Sequence, residues 1–126
     1  PHKLGHELSA KFDVAHGASL SAVWGAWAQY SWKTHPERFA RYARQVWGVQ
    51  TDDEEQAALE GIAATVDYFR SLGMPTCLSE LGIGVQPETV LEAMARQATR
   101  GDTMMLGSFR PLDQAGALAV YRLANR

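Results

Sequence analysis

The chain contains a single cysteine, Cys77. That count excludes an internal disulfide framework and fits a reducing cytoplasm. A basic stripe is also missing. Twelve Lys and Arg are interspersed with fourteen Asp and Glu, for a net charge of −2. Neither nucleic acid nor an anionic membrane is an expected partner of such a surface. Long apolar runs are absent as well. The longest stretch without Asp, Glu, Lys or Arg is Val14–Trp32, interrupted by His16 and Gly17; its remainder, Ala18–Trp32, is 15 residues, short of the ~20 needed to cross a bilayer. It reads instead as a buried helix. No alternating strand segment, internal repeat or signal peptide stands out.

What remains is a globular composition. Of 126 residues, 46% are hydrophobic and 21% charged, enough for one domain with a real core. Nearly all of it reads helical. A first helix is expected over 2–11, weakened by Gly5. Gly17 breaks the chain, and a second helix runs from Ala18 to Thr34. It is apolar on all sides (Leu20, Val23, Trp24, Trp27, Tyr30, Trp32), as a central helix is. Pro36 opens a third helix, whose stripe of Phe39, Tyr42, Ala43, Val46 and Trp47 ends at Gly48. Thr51-Asp52-Asp53-Glu54 reads as a capping box. The fourth helix turns Leu59, Ile62, Ala63, Val66 and Phe69 inward and stops near Gly73. Met74–Val85 is a loop with a short turn at Leu78–Leu81. Pro87 opens a fifth helix with Val90, Leu91, Met94 and Ala98 inward. After a loop over Gly101–Arg110, a sixth helix buries Leu118, Tyr121 and Ala124. The expected fold is an all-α bundle of about six helices.

Three of the four histidines, His2, His6 and His16, fall in the first sixteen residues. Imidazole is a common ligand of catalytic divalent metals and a proton shuttle near neutral pH. His2 and His6 share a helix face one turn apart. A bend before the second helix brings His16 back toward His2. On spacing alone, such a pair is more often a set of surface or capping side chains than a metal site. Two ligands are also too few, since catalytic zinc sites keep about three. No Asp in the chain has a histidine four residues later, and Glu7 lies off the His2/His6 stripe. If a metal binds, its other ligands belong to chain outside this sequence. The chain opens one residue before His2, as a piece of something longer does. His35, beside Pro36, reads as a helix-start residue without chemistry.

The text around these histidines resembles a known family. His2-Lys3-Leu4-Gly5-His6-Glu7-Leu8, with His16-Gly17 placing a second histidine fourteen after His2, is similar to the metal signature of the iron-containing, group III alcohol dehydrogenases. The resemblance continues through Tyr42-Ala43-Arg44-Gln45-Val46-Trp47, through Tyr68-Phe69-Arg70-Ser71-Leu72-Gly73-Met74-Pro75-Thr76, and into the closing helix at Tyr121-Arg122-Leu123-Ala124. It is nearest to the butanol dehydrogenase and NADPH-dependent aldehyde reductase branch.

The resemblance implies that residues 1–126 form the C-terminal helical metal-binding domain, separate from an N-terminal dinucleotide-binding domain. It implies that His2 and His16 bind a divalent ion, Fe²⁺ or Zn²⁺, together with an upstream Asp and His. It places His6 beside the nicotinamide of NAD(P), as a catalytic and cofactor-binding residue that relays a proton without binding metal. The implied reaction is metal-assisted hydride transfer between the nicotinamide and a small alcohol or aldehyde, in a cytoplasmic homo-oligomer. The chain by itself is expected to show no turnover. A glycerol dehydrogenase-like zinc enzyme and a non-catalytic helical interaction domain are the competing readings.

Other residues read more plainly. Trp24 and Trp47 are expected in the core, and Trp27 lies between core and substrate pocket. Cys77 has no neighbouring base that would activate it. Glu80 reads as solvated, and Arg41, Arg44, Arg96 and Arg100 as polar-face side chains.

Overall fold

The computed structural model describes residues 1–107 and 109–126; Ser108, in the loop expected over Gly101–Arg110, lies outside the described residues. Six α-helices follow in order: α1 (His2–Phe12), α2 (His16–Ser31), α3 (Pro36–Trp47), α4 (Glu54–Ser71), α5 (Glu88–Thr99) and α6 (Gln114–Ala124). Short 3₁₀ turns occupy Trp32–Thr34 and Ser79–Leu81. The all-α expectation holds. Among the described residues the only β pairing is an isolated antiparallel bridge between Leu106 and Leu112.

The helix boundaries have local causes. The break between α1 and α2 is at Asp13, which takes a left-handed conformation (φ 55°), and not at Gly17. Aspartate visits that region more readily than most residues. Ala15 is extended and caps α2, so α2 starts at His16, two residues before the expected Ala18. Its last expected turn, Trp32–Thr34, tightens into a 3₁₀ helix. Pro36 stands in the first turn of α3 and Gly48 ends it at φ 68°. The cap of α4 is Asp53, whose carboxylate accepts from the amides of Glu55 (3.0 Å) and Gln56 (3.2 Å). Thr51 serves a different amide, accepting from Asp53 N (3.2 Å). The expected Thr51–Glu54 capping box does not form; a simple cap at Asp53, two residues on, replaces it.

Two cores meet across α2. One gathers Leu4 and Leu8 of α1, Val23, Leu78, Leu91 and Met94 of α5, and Val120 and Tyr121 of α6. The other gathers Ala28, Trp32, Phe39 of α3, and Ala58 and Ile62 of α4. Trp27 packs against both. Helix α2 touches α1, α4 and α6, which explains a helix without a polar face. Its fully buried positions are small (Ser19, Ser21, Ala22, Val23, Ala28, Ser31), and Trp24 and Trp27 are half-buried beside them.

The α3–α4 pair is a close crossing. A β-carbon on Gly61 would lie 2.5 Å from Ala43 Cβ, so the two backbones approach where glycine meets alanine. The expected stripes shift in consequence. Val46 is 58% exposed and Ala63 is exposed, while Ala57, Ala58 and Gly61 take the inner face of α4. Trp47 is half-buried. Its indole N–H donates to Tyr42 Oη (3.1 Å) and Thr65 Oγ1 (3.0 Å). It is an edge residue with a satisfied donor, not an interior one.

Candidate metal centre and the adjoining cleft

Helical geometry sets which way the histidines face. At 3.6 residues per turn, His2 and His6 lie about 40° apart around α1, and Leu4 and Leu8 lie nearly opposite. Leu4 and Leu8 are buried, so the two imidazoles are turned outward, and both residues are exposed. Helix α1 is fixed from behind. The buried hydroxyl of Tyr121 donates to the Leu4 carbonyl (2.8 Å), and burial pushes the Tyr121 pKa up, with Glu7 adding to the shift. It stays a neutral donor.

Gly5, which weakens the sequence pattern, decides how near α1 and α2 come. A β-carbon there would lie 3.0 Å from Ser19 Oγ and 3.1 Å from Leu20 Cδ2. Without one, the helices approach closely, and Ser9 Oγ donates to Ser19 Oγ across the contact (3.3 Å). Ser19 Oγ in turn donates to the His16 carbonyl (2.7 Å), tying the first turn of α2 to the same contact.

The result is a cluster of three imidazoles. The ring centroids of His2 and His16 are 6.0 Å apart and those of His6 and His16 are 5.1 Å apart. The fold therefore brings together all three histidines singled out in the sequence. Two imidazoles on one ion at about 2.1 Å per Zn–N bond have centroids roughly 5–6 Å apart. By that measure the His2–His16 pair, at 6.0 Å, and the His6–His16 pair, at 5.1 Å, are each close enough to share an ion. They are exposed, as ligands that share an ion with other donors must be. Among the described residues no group of three or more His, Cys, Asp or Glu side chains is arranged to hold a metal. By itself the cluster is not a complete coordination shell. His35 stands apart at the start of α3, edge-on to Phe109 (5.1 Å) with Nδ1 3.3 Å from Glu37 Oε1.

A cleft of about 370 Å³ adjoins His2. Lys3, Trp27, Leu106, Phe109 and Arg110 are among its lining residues. Its far wall comes from the loop closed by the Leu106–Leu112 bridge, with both N–H···O distances 2.9 Å. The Arg110 guanidinium stacks on the Tyr30 ring (4.0 Å to its centroid) and donates to the Tyr30 carbonyl. Sequence reading gave Phe109 and Arg110 no role. The one signal present was an aromatic and a cation bounded by Gly107 and Pro111.

On the opposite side of the sequence reading, Glu80 is not merely solvated. Its carboxylate accepts from Thr76 N (3.0 Å), Thr76 Oγ1 (2.8 Å) and Cys77 Sγ (3.3 Å). These donors, the Thr76 hydroxyl foremost, hold its pKa below the ordinary value. Cys77 is buried within this turn.

An all-α bundle turns three imidazoles outward, and His2 among them borders an aromatic cleft. Comparison with known proteins identifies the bundle. Residues 1–125 match the C-terminal region of the Fe-containing alcohol dehydrogenase family, and the chain belongs to that family. It is 37% identical over 123 residues to NADH-dependent butanol dehydrogenase A of Clostridium acetobutylicum, covering 96% of this chain and 31% of that protein. The NADPH-dependent aldehyde reductase YqhD of Escherichia coli is 34% identical over 82 residues, 65% of this chain and 21% of that protein. In structure the chain is similar to NADH-dependent butanol dehydrogenase A of Thermotoga maritima, with a TM-score of 0.87 and 28% identity, over 99% of this chain and 32% of that one. The chain thus spans about a third of the length of these relatives. No described helix is long and apolar enough to cross a membrane.

Proposed function

We propose that this chain is the helical, metal-bearing domain of an NAD(P)-dependent alcohol dehydrogenase or aldehyde reductase. The observation that carries the proposal is the convergence of His2 and His16 from two helices, with His6 alongside, in a chain of this family. His2 and His16 supply two neutral imidazole nitrogens to a divalent ion, Fe²⁺ or Zn²⁺. The remaining donors, an Asp and a His, come from chain upstream, as does the dinucleotide-binding domain. When bound, the ion supplies Lewis-acid polarisation of the substrate oxygen. NAD(P) supplies the hydride chemistry. His6, its ring 5.1 Å from that of His16, takes or gives the substrate's hydroxyl proton in this reading. The cleft beside His2 holds the substrate's carbon skeleton, with Trp27 and Leu106 excluding water from it.

The relatives' names support the substrate class: they are dehydrogenases of butanol and reductases of aldehydes. The test is turnover of butanal by the complete enzyme with NADH and with NADPH. The proposal expects oxidation of one or both cofactors, its loss on treatment with a chelator, and its return with Fe²⁺ or Zn²⁺. Cofactor oxidation that survives exhaustive chelation rules out the metal role of His2 and His16. The chain of 126 residues by itself is expected to give no turnover, since it holds part of the metal shell and no dinucleotide fold.

A further inference from the structure

Phe109 lines two separate hollows. One is the cleft of about 370 Å³ that reaches His2. The other, of about 140 Å³, is lined by Trp24, Arg38, Phe39 and Tyr42 in addition to Phe109. Phe109 is the one residue that the two linings share. We propose that Phe109 is the wall that sets how long a carbon chain the substrate site accepts: the substrate oxygen lies toward His2, the tail runs along Trp27, and it stops at the Phe109 ring.

The wall is held firmly in place. Phe39 meets the Phe109 ring edge to face at 5.4 Å and 85°, and Trp27 meets it at 5.9 Å and 60°. Edge-to-face aromatic contacts at these distances resist rotation of the ring. Nearby, Leu106 and Leu112 are bridged and Arg110 is held on the Tyr30 ring. A longer tail cannot swing the ring aside without breaking this packing. Beyond the ring the second hollow is an open groove lined by Trp24, Phe39, Tyr42 and Arg38, so a tail admitted to it would lie on largely apolar surface. Each methylene buried there would strengthen binding by about fourfold.

The inference rests on the dehydrogenase reading given above, and the experiment separates the two. In the complete enzyme, kcat/KM is measured for butanal and octanal in wild type, Phe109→Leu and Phe109→Ala. The octanal-to-butanal ratio is expected to rise at least tenfold in Phe109→Ala and by a smaller factor in Phe109→Leu. A second readout needs no turnover: 1-octanol is titrated into the 126-residue chain while tryptophan fluorescence is followed, since Trp24 and Trp27 line the two cavities. Octanol is expected to bind at least tenfold tighter to Phe109→Ala than to wild type. A ratio and an octanol affinity both within threefold of wild type overturn the wall. If Phe109→Ala fails to fold, Phe109→Leu decides by the same criteria. Wild type inactive on every aldehyde refutes the dehydrogenase reading, and the octanol titration then judges the wall alone.

Discussion

The hydroxyl of Tyr121 donates to the carbonyl of Leu4, 117 residues away in sequence. It joins the last helix to the first, and the first helix carries His2 and His6. The acceptor and the donor are both buried, so the bond holds α1 in register with no competition from water. Tyr121→Phe removes the donor and leaves the ring in place. Its expected cost is about 1 kcal/mol of unfolding free energy, read by urea denaturation. A melt unchanged from wild type would show that the Leu4 carbonyl is satisfied by its own helix and that the link is dispensable.

The contact of Gly61 with Ala43 sets the spacing of α3 and α4. Alanine is ordinarily the better residue inside a helix, by up to ~1 kcal/mol. At this position overpacking opposes the gain, because the added methyl lies 2.5 Å from another. Gly61→Ala is expected to destabilise by about 1–3 kcal/mol. Ala43→Gly in the same chain is expected to recover part of the loss. A Gly61→Ala variant more stable than wild type would contradict the close crossing.

Glu80 makes stability depend on pH. Its carboxylate is held below its ordinary value of 4.5 by donors in the 76–77 turn. Above pH 4.5 the carboxylate is charged whether the chain is folded or not, and its stabilising contribution is complete. As the pH falls below 4.5, the unfolded chain gains the proton first, and the contribution fades until the folded carboxyl is protonated too. Glu80→Ala is therefore expected to melt lower than wild type at pH 7, by about 3 °C. The two melting temperatures converge as the pH falls from 4.5 through the lowered value of the folded carboxyl. A gap that widens on acidification would reverse the sign and remove Glu80 from the account.

Much of the bundle is legible in the sequence because its signals are local. The 3.6-residue period places the buried face of α5 on Leu91, Met94 and Ala98, as found. Pro36 and Gly48 mark ends that the structure keeps. Where expectation slipped, tertiary contacts decided. Val46 has the right period for the core, but the close Gly61–Ala43 crossing brings smaller residues inward and leaves it exposed. The helix-weakening Gly5 proves to be the contact that draws α1 onto α2. The histidines announce themselves by type and spacing. Phe109 and Arg110 do not, because their cleft is assembled from residues 1–4, Trp27 and the 106–112 loop, segments that only the folded chain brings together.

Metal analysis of the complete enzyme and its histidine variants tests the central claim most directly. Wild type is expected to carry about one Fe²⁺ or Zn²⁺ per chain, and His6→Ala to keep it. His2→Ala and His16→Ala are each expected to retain less than a tenth of that metal after dialysis, since loss of one ligand and its outer contacts costs 10–100-fold or more in affinity. Full metal content in either of those two variants, with the fold intact, would contradict the account.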